Sequence, residues 1–262
     1  MLEARPAAIS RRFVTGALTL LGLLGLWYVL TTVTGAVGSG RFPSPADFGK
    51  ALVQIAVQGY GGAPLLYQAL YSLKLVAMGF VVAIAIGVPL GLAMGWSERV
   101  EAFANPIFLV LRPIPPLAWI PLAIVWLGLG DAAKITVIFF AAFVPAVINT
   151  WTGVRNIDPT LVAAARVHGA SSRHLFTEVV LPGALPMIFT GLRLSLQASW
   201  TTLVAAELVG AFFGLGRVLN LAYQDIYPAM IAVAMVAVGI LGAATTRLLA
   251  EIETRMTPWR QP

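Results

Sequence analysis

The chain contains no cysteine. Disulfide frameworks, thiolate metal centres and cysteine nucleophiles are therefore excluded by residue count. Charge is also scarce: 11% of the 262 residues are Asp, Glu, Lys or Arg, against about 25% in soluble domains. Histidine occurs only at His168 and His174, six residues apart, which is not the i, i+4 spacing of a helical metal pair. No GxxxxGK[ST] phosphate loop is present, so P-loop nucleotide hydrolysis is excluded. Low-complexity tracts and internal repeats are absent as well.

What the chain has in abundance is apolar surface. Hydrophobic residues make up 59% of it, and its mean hydropathy is +0.87. A soluble globule of this balance would expose apolar patches over most of its surface. The composition points to an all-α membrane protein, because each crossing needs ~20 apolar residues and must satisfy its own backbone. The formal charge of +6 does not indicate nucleic acid, since Lys and Arg stand scattered between apolar runs rather than clustered with aromatics. They suit contact with membrane lipid and orientation of the spans.

Six transmembrane helices are predicted, at about 13–35, 65–96, 102–127, 132–153, 186–213 and 227–249. They form a single membrane domain, with one long hydrophilic loop at 154–185. Arg11-Arg12 resembles a twin-arginine export signal, but the uncharged run from Phe13 to Gly40 is long and lacks a clear cleavage site, which predicts an uncleaved anchor. With this topology nine Lys and Arg lie inside (5, 11, 12, 99, 155, 166, 173, 255, 260) and four outside (41, 50, 134, 217). That bias predicts cytoplasmic N- and C-termini in an inner membrane.

Local patterns add detail. Ser44-Pro45-Ala46-Asp47 reads as a capped helix start. Phe48, Ala51, Leu52, Ile55 and Ala56 then share one face, so the helix either rests on the outer membrane face or packs on neighbouring spans. Gly87, Gly91 and Gly95 form a stripe at four-residue steps, where another helix can approach closely, within the subunit or in a second copy. Pro113, Pro115, Pro116 and Pro121 make the third span irregular, and lipid tolerates this only beside protein or a water-filled path. Gly214-Leu215-Gly216-Arg217 reads as an outer turn.

Within the long loop, Asp158-Pro159 starts a short helix and Gly169 ends it. Leu161, Ala164, Ala165 and His168 lie on one narrow face of small residues. Such a helix suits a groove in another protein, or is simply a surface connector. A second short helix runs from Ser171 or Ser172 through Val180 and is terminated by Pro182. His168 and Ser171 do not make an intramembrane hydrolase, because their segment is hydrophilic.

The run Ala163-Ala164-Ala165, three residues, Gly169, nine residues and Val179-Val180-Leu181-Pro182 resembles the EAA loop of ABC importer permeases. Ala163 replaces the acidic first residue of that motif. Further stretches are similar to the taurine, alkanesulfonate and nitrate permease group: Arg112-Pro113-Ile114-Pro115-Pro116-Leu117-Ala118-Trp119, Gly128 to Lys134, Thr190-Gly191-Leu192-Arg193, Trp200 to Leu208, Gly214-Leu215-Gly216 and Arg255 to Trp259. The last three stretches look closest to the taurine branch.

The resemblance implies a type I importer permease fold and a loop that docks into an ATPase dimer through Ala163, Ala164, Ala165, Arg166, His168, Gly169, Val179, Leu181 and Pro182. It also implies an extracytoplasmic binding protein, a second permease copy, and no cofactor in this chain, ATP being bound by the partner. The implied cargo is a small anionic or zwitterionic solute, taurine first, alkanesulfonate or nitrate next. Ionisable residues inside spans default to functional candidates, although arginines near helix ends also snorkel. The candidates for the translocation path are Arg112, Trp119, Arg193, Trp200 and Glu207. A stand-alone ion-coupled transporter or channel is the competing reading, with Glu207 as its only intramembrane carboxylate for coupling.

Overall fold

The computed structural model describes residues 7–260, with side chains from 14 to 259. Arg5 lies outside that range, as do the side chains of Arg11, Arg12 and Arg260. The described chain is helical almost throughout. In order, α1 spans Ala7–Tyr28 and continues as a π-turn over Val29–Val33, α2 spans Pro45–Val57, α3 Leu65–Trp96 and α4 Glu98–Leu111. Next come α5 (Trp119–Leu127), α6 (Asp131–Arg155), α7 (Pro159–Val167) and α8 (Ser172–His174). A π-segment over Leu175–Val180 leads into α9 (Leu181–Gly210), followed by α10 (Leu215–Gln224) and α11 (Pro228–Met256). Five helical runs are long and apolar enough to cross a membrane, and six crossings result if the bent pair α4–α5 counts as one.

The bent pair is the irregular third span, predicted at 102–127. Its two limbs meet at 76°. Pro113, Pro115 and Pro116 lie between them and remove the N–H donors that a continuous helix needs. Only a short 3-10 turn over Pro116–Ala118 bridges the gap.

One correction concerns Pro182. It does not end a short helix: helical backbone runs on from Ser172 to Gly210, and Pro182 sits where the π-segment passes into α9. The fifth span therefore begins earlier than residue 186. A second concerns Gly214 to Arg217, which is not a bare turn but the start of α10, with Gly214 as its N-cap.

Helices α3, α6 and α9 form the centre of the bundle. Leu75 and Val76 of α3 pack with Ile138 and Val154 of α6 and with Ile188, Leu192, Leu196 and Leu203 of α9. The glycine stripe of α3 faces α6 of the same chain. A Cβ on Gly91 would lie 2.7 Å from both Thr150 Cβ and the Val147 carbonyl oxygen, and one on Gly95 would lie 2.4 Å from Val154 Cβ. One on Gly87 would lie 3.2 Å from Ala146 Cβ. Only hydrogen at these positions lets the two backbones approach so closely.

Alternation of the long helices gives the bundle two ends. The ends of α3, α6 and α11 and the start of α9 gather with α7 at one, while α2 and α10 lie at the other. The Ser44 hydroxyl accepts the Asp47 N–H at 3.2 Å and the Asp47 carboxylate accepts the Ser44 N–H at 3.3 Å, a reciprocal cap that starts α2. A hydrogen bond from the Ser44 hydroxyl, at 2.7 Å, and then the one from the Ser44 N–H hold the Asp47 carboxyl below its usual pKa. Ala51 and Ile55 are buried against Val218, Ala222, Met230 and Val233 of α10 and α11. Leu52 and Ala56 turn outward instead, so α2 packs on neighbouring helices through a narrower face than expected. Helix α1 touches the rest near its end, where the Trp27 indole N–H donates to the Pro43 carbonyl at 2.8 Å. Its leucines are exposed, as suits a helix covered by lipid.

Candidate functional site

Three places can carry function: the α7 loop, the polar contacts at the α2/α10 end, and a cavity beside the bent pair. At α7, the Asp158 side chain accepts the Thr160 N–H at 2.8 Å, and Pro159 occupies the first turn. Hydrogen bonds from the Thr160 side chain and backbone hold the Asp158 carboxyl below its usual pKa. The other end closes as a Schellman motif: the Ala170 N–H reaches the Ala165 carbonyl at 3.0 Å and the Gly169 N–H reaches that of Arg166 at 2.9 Å. Gly169 has φ +78°, a conformation that glycine adopts without strain.

The helix between these stops buries no residue. Ala163, Ala164, Arg166 and His168 are exposed and Ala165 is half-buried, while Leu161 and Val167 stand out at 58% and 86% exposure. Val179, Leu181 and Pro182 are half-buried in the run that carries α7. That run is anchored by buried Leu175 and Val180 and by the Phe176 ring, set edge-on to Trp96 of α3. An ion pair between Arg155 and Glu101 ties α6 to α4 beside it. The result is a rigid base presenting a short helix with an unpartnered face.

At the opposite end, the first three backbone N–H groups of α10 each find a side chain from another helix. Gly214 donates to Gln68 Oε1 at 2.6 Å, Leu215 to Ser72 Oγ at 2.8 Å and Gly216 to Glu207 Oε2 at 2.8 Å. The Ser72 hydroxyl donates in turn to Glu207 Oε1 at 2.8 Å. Glu207, Gln68 and Ser72 are buried, and an unpaired carboxylate there would be costly. The N-terminus of α10, which has no side-chain cap of its own, supplies the partial positive charge it needs. A Cβ on Gly214 would come within 2.1 Å of the carboxylate, and one on Gly216 within 2.6 Å of Glu207 Cβ. The Gly-Leu-Gly spacing thus leaves room for the glutamate. Nearby, Lys134 in the first turn of α6 is buried beside Asp131 at 3.7 Å and lies 5.8 Å from the Tyr71 ring centre. The Tyr60 phenol donates to Asp225, and burial together with that carboxylate raises its pKa.

The five path candidates separate. Glu207 is committed to the start of α10. Arg193 is paired with Glu253 of α11. Trp200 is buried, and its indole N–H donates to the Thr245 hydroxyl at 3.1 Å, joining α9 to α11. Arg112 and Trp119 come together, lining a cavity of about 230 Å³ between the bent pair, α6 and α9. Sequence reasoning missed Gln68, Ser72 and Lys134. The first two carried a signal: polar residues four apart on an apolar helix, in line with buried Leu75, Val76 and Gly79.

Residues 87–257 match the family of binding-protein-dependent transport system inner membrane components. The chain belongs to that family, as the membrane-embedded permease subunit of an ABC importer that is not itself catalytic, with an ATPase and a binding protein as the partners this membership implies. Among curated proteins it is similar to the taurine transport system permease protein TauC of Escherichia coli, with 34% identity over 96% of this chain and 91% of that protein. It is also similar to the bicarbonate transport system permease protein CmpB of Synechococcus elongatus (36%, over 95% and 94%). The nitrate import permease protein NrtB of a Synechocystis species matches at 34%, over 96% and 92%. Among solved structures, the inward-facing MetNI methionine ABC transporter shares the fold, with a TM-score of 0.59 at 23% identity over 76% of this chain and 96% of that one.

Proposed function

We propose that this permease imports a small solute bearing a compact oxyanion group, taurine first, with alkanesulfonate, nitrate or bicarbonate as the nearest alternatives. Taurine, nitrate and bicarbonate, the solutes named for its relatives, share that chemistry and differ in size. ATP is bound and hydrolysed by a separate ATPase dimer, this chain holding no cofactor. Two permease copies span the inner membrane with cytoplasmic termini, and an extracytoplasmic binding protein delivers solute at the α2/α10 end.

The observation that carries the reading is α7, a helix capped at both ends that buries none of its residues. It is the coupling helix, carrying the EAA-type motif from Ala163 to Pro182. With Ala163 in place of an acid, docking rests on small side chains and on Arg166 and His168. The competing reading of a stand-alone ion-coupled transporter loses its support, since Glu207, on which it rested, is engaged by Gly216 and Ser72.

The test is ATP hydrolysis by the assembled complex with its binding protein loaded in turn with taurine, a longer alkanesulfonate, nitrate and bicarbonate. Stimulation by one or more of them is expected. Solute accumulation by the purified permease alone, driven by an ion gradient, would refute the reading. Cross-linkers placed along α7 should capture the ATPase in cells.

A further inference from the structure

The cavity beside the bent pair brings a cation next to aromatic rings at mid-depth of the bundle. Its lining includes Arg112, Trp119, Phe140, Phe143, Pro145 and Ala198. Depth follows from register. Phe140 to Pro145 occupy the middle of α6 and Ala198 lies just past the middle of α9. Arg112 stands one residue past the 14 of α4, about 21 Å along the axis from the α7 end at 1.5 Å per residue.

A cation at that depth is expensive unless it is paired or functional. Among the described residues, the ion pairs join Lys134 to Asp131, Arg155 to Glu101, Arg193 to Glu253 and Arg255 to Glu251. Arg112, exposed in the single chain, is in none of them, and among the described residues no side chain or carbonyl accepts from its guanidinium. As the C-cap of α4, it gains from the helix dipole, but that interaction leaves its N–H donors free. The prolines that break the span keep the helix from continuing past it, which opens the space.

We infer that this cavity is a binding station for the transported solute, with Arg112 holding its oxyanion group and the rings of Trp119 and Phe140 packing against the carbon chain of a solute that has one, such as taurine. The inference rests on the solute class proposed above. A guanidinium presents paired donors that match sulfonate, nitrate or bicarbonate oxygens, and it stays charged at any physiological pH. Trp119 is held face to face on Phe140 at 4.3 Å and 14°, so the wall opposite the charge is rigid and apolar. The volume of about 230 Å³ equals about eight waters at ~30 Å³ each, room for a solute of a few heavy atoms.

The test uses the complete transporter, purified with its ATPase and binding protein and reconstituted in vesicles, with uptake of taurine, nitrate and bicarbonate measured separately. Arg112→Gln is expected to lower uptake at least tenfold, and Arg112→Lys to retain at least a third of it. Ala198→Phe fills the space without changing charge and should raise the ratio of nitrate to taurine uptake about tenfold, a size selectivity that a purely structural defect would not produce. Uptake and selectivity within twofold of wild type in both Arg112→Gln and Ala198→Phe would overturn the station and leave the proposed function standing. A wild-type transporter that accumulates only cations or uncharged solutes would overturn the proposed function, and the station with it.

Discussion

The two ends of the bundle solve opposite problems. At the α2/α10 end, backbone donors that a helix start leaves open are closed by buried side chains from other helices, Gln68, Ser72 and Glu207. At the α7 end, the helix closes its own ends through Asp158 and the Gly169 turn and leaves its face bare. An end locked from within resists change, whereas an end capped only locally is free to fit another protein. Mutations should therefore damage folding at the first end and coupling at the second.

The largest expected effect on stability is Glu207→Leu. It removes the buried acceptor of the Gly216 N–H and the Ser72 hydroxyl, a loss of about 1–3 kcal/mol for each donor left unsatisfied. Thermal unfolding in detergent should show it, and unchanged unfolding would break the contrast between the ends. Gly91→Val tests the packing that joins them. With Thr150 and the Val147 carbonyl 2.7 Å from the added Cβ, overpacking should cost about 1–3 kcal/mol, seen as an earlier melting transition. At the other end, Ala165→Glu should change stability by less than about 0.5 kcal/mol, as for a surface site, yet separate ATP hydrolysis from uptake in the assembled complex. Normal uptake by that variant would remove α7 from the coupling path.

The smallest effect belongs to Asp158. Its pKa is lowered in the folded chain from the ordinary 3.8 by its bonds to Thr160. The cap's contribution is therefore complete above that value and disappears as pH falls through the lower folded one. Hydrogen exchange of the α7 amides should be indifferent to pH between neutral and 5, after correction for the intrinsic rate, and accelerate only in strong acid. Asp158→Ala should show the faster exchange at every pH.

How much was legible depended on whether a signal was local. The helical class and the number of crossings follow from runs of apolar residues, because each span must satisfy its own backbone in lipid. The start of α2 at Ser44 to Asp47 was visible because a capping box lies within four residues of sequence. Pro182 misled because proline usually stops a helix, and only the backbone, continuous from Ser172 through the π-segment into α9, shows that it does not do so here. Gly214-Leu215-Gly216 read as a turn because the partner that needs those glycines, Glu207, reaches them through the fold. Arg193 looked free for the same reason, its partner Glu253 being sixty residues away.

Composition and short motifs alone determined that this chain is a helical membrane protein, where its breaks fall and which loop stands out, since hydropathy and capping act over a few neighbouring residues. Which of its buried charges are already answered was decided by tertiary structure. A carboxylate or guanidinium in a low-dielectric interior is settled by whatever lies within a few ångströms of it, and in this chain those neighbours come from other helices.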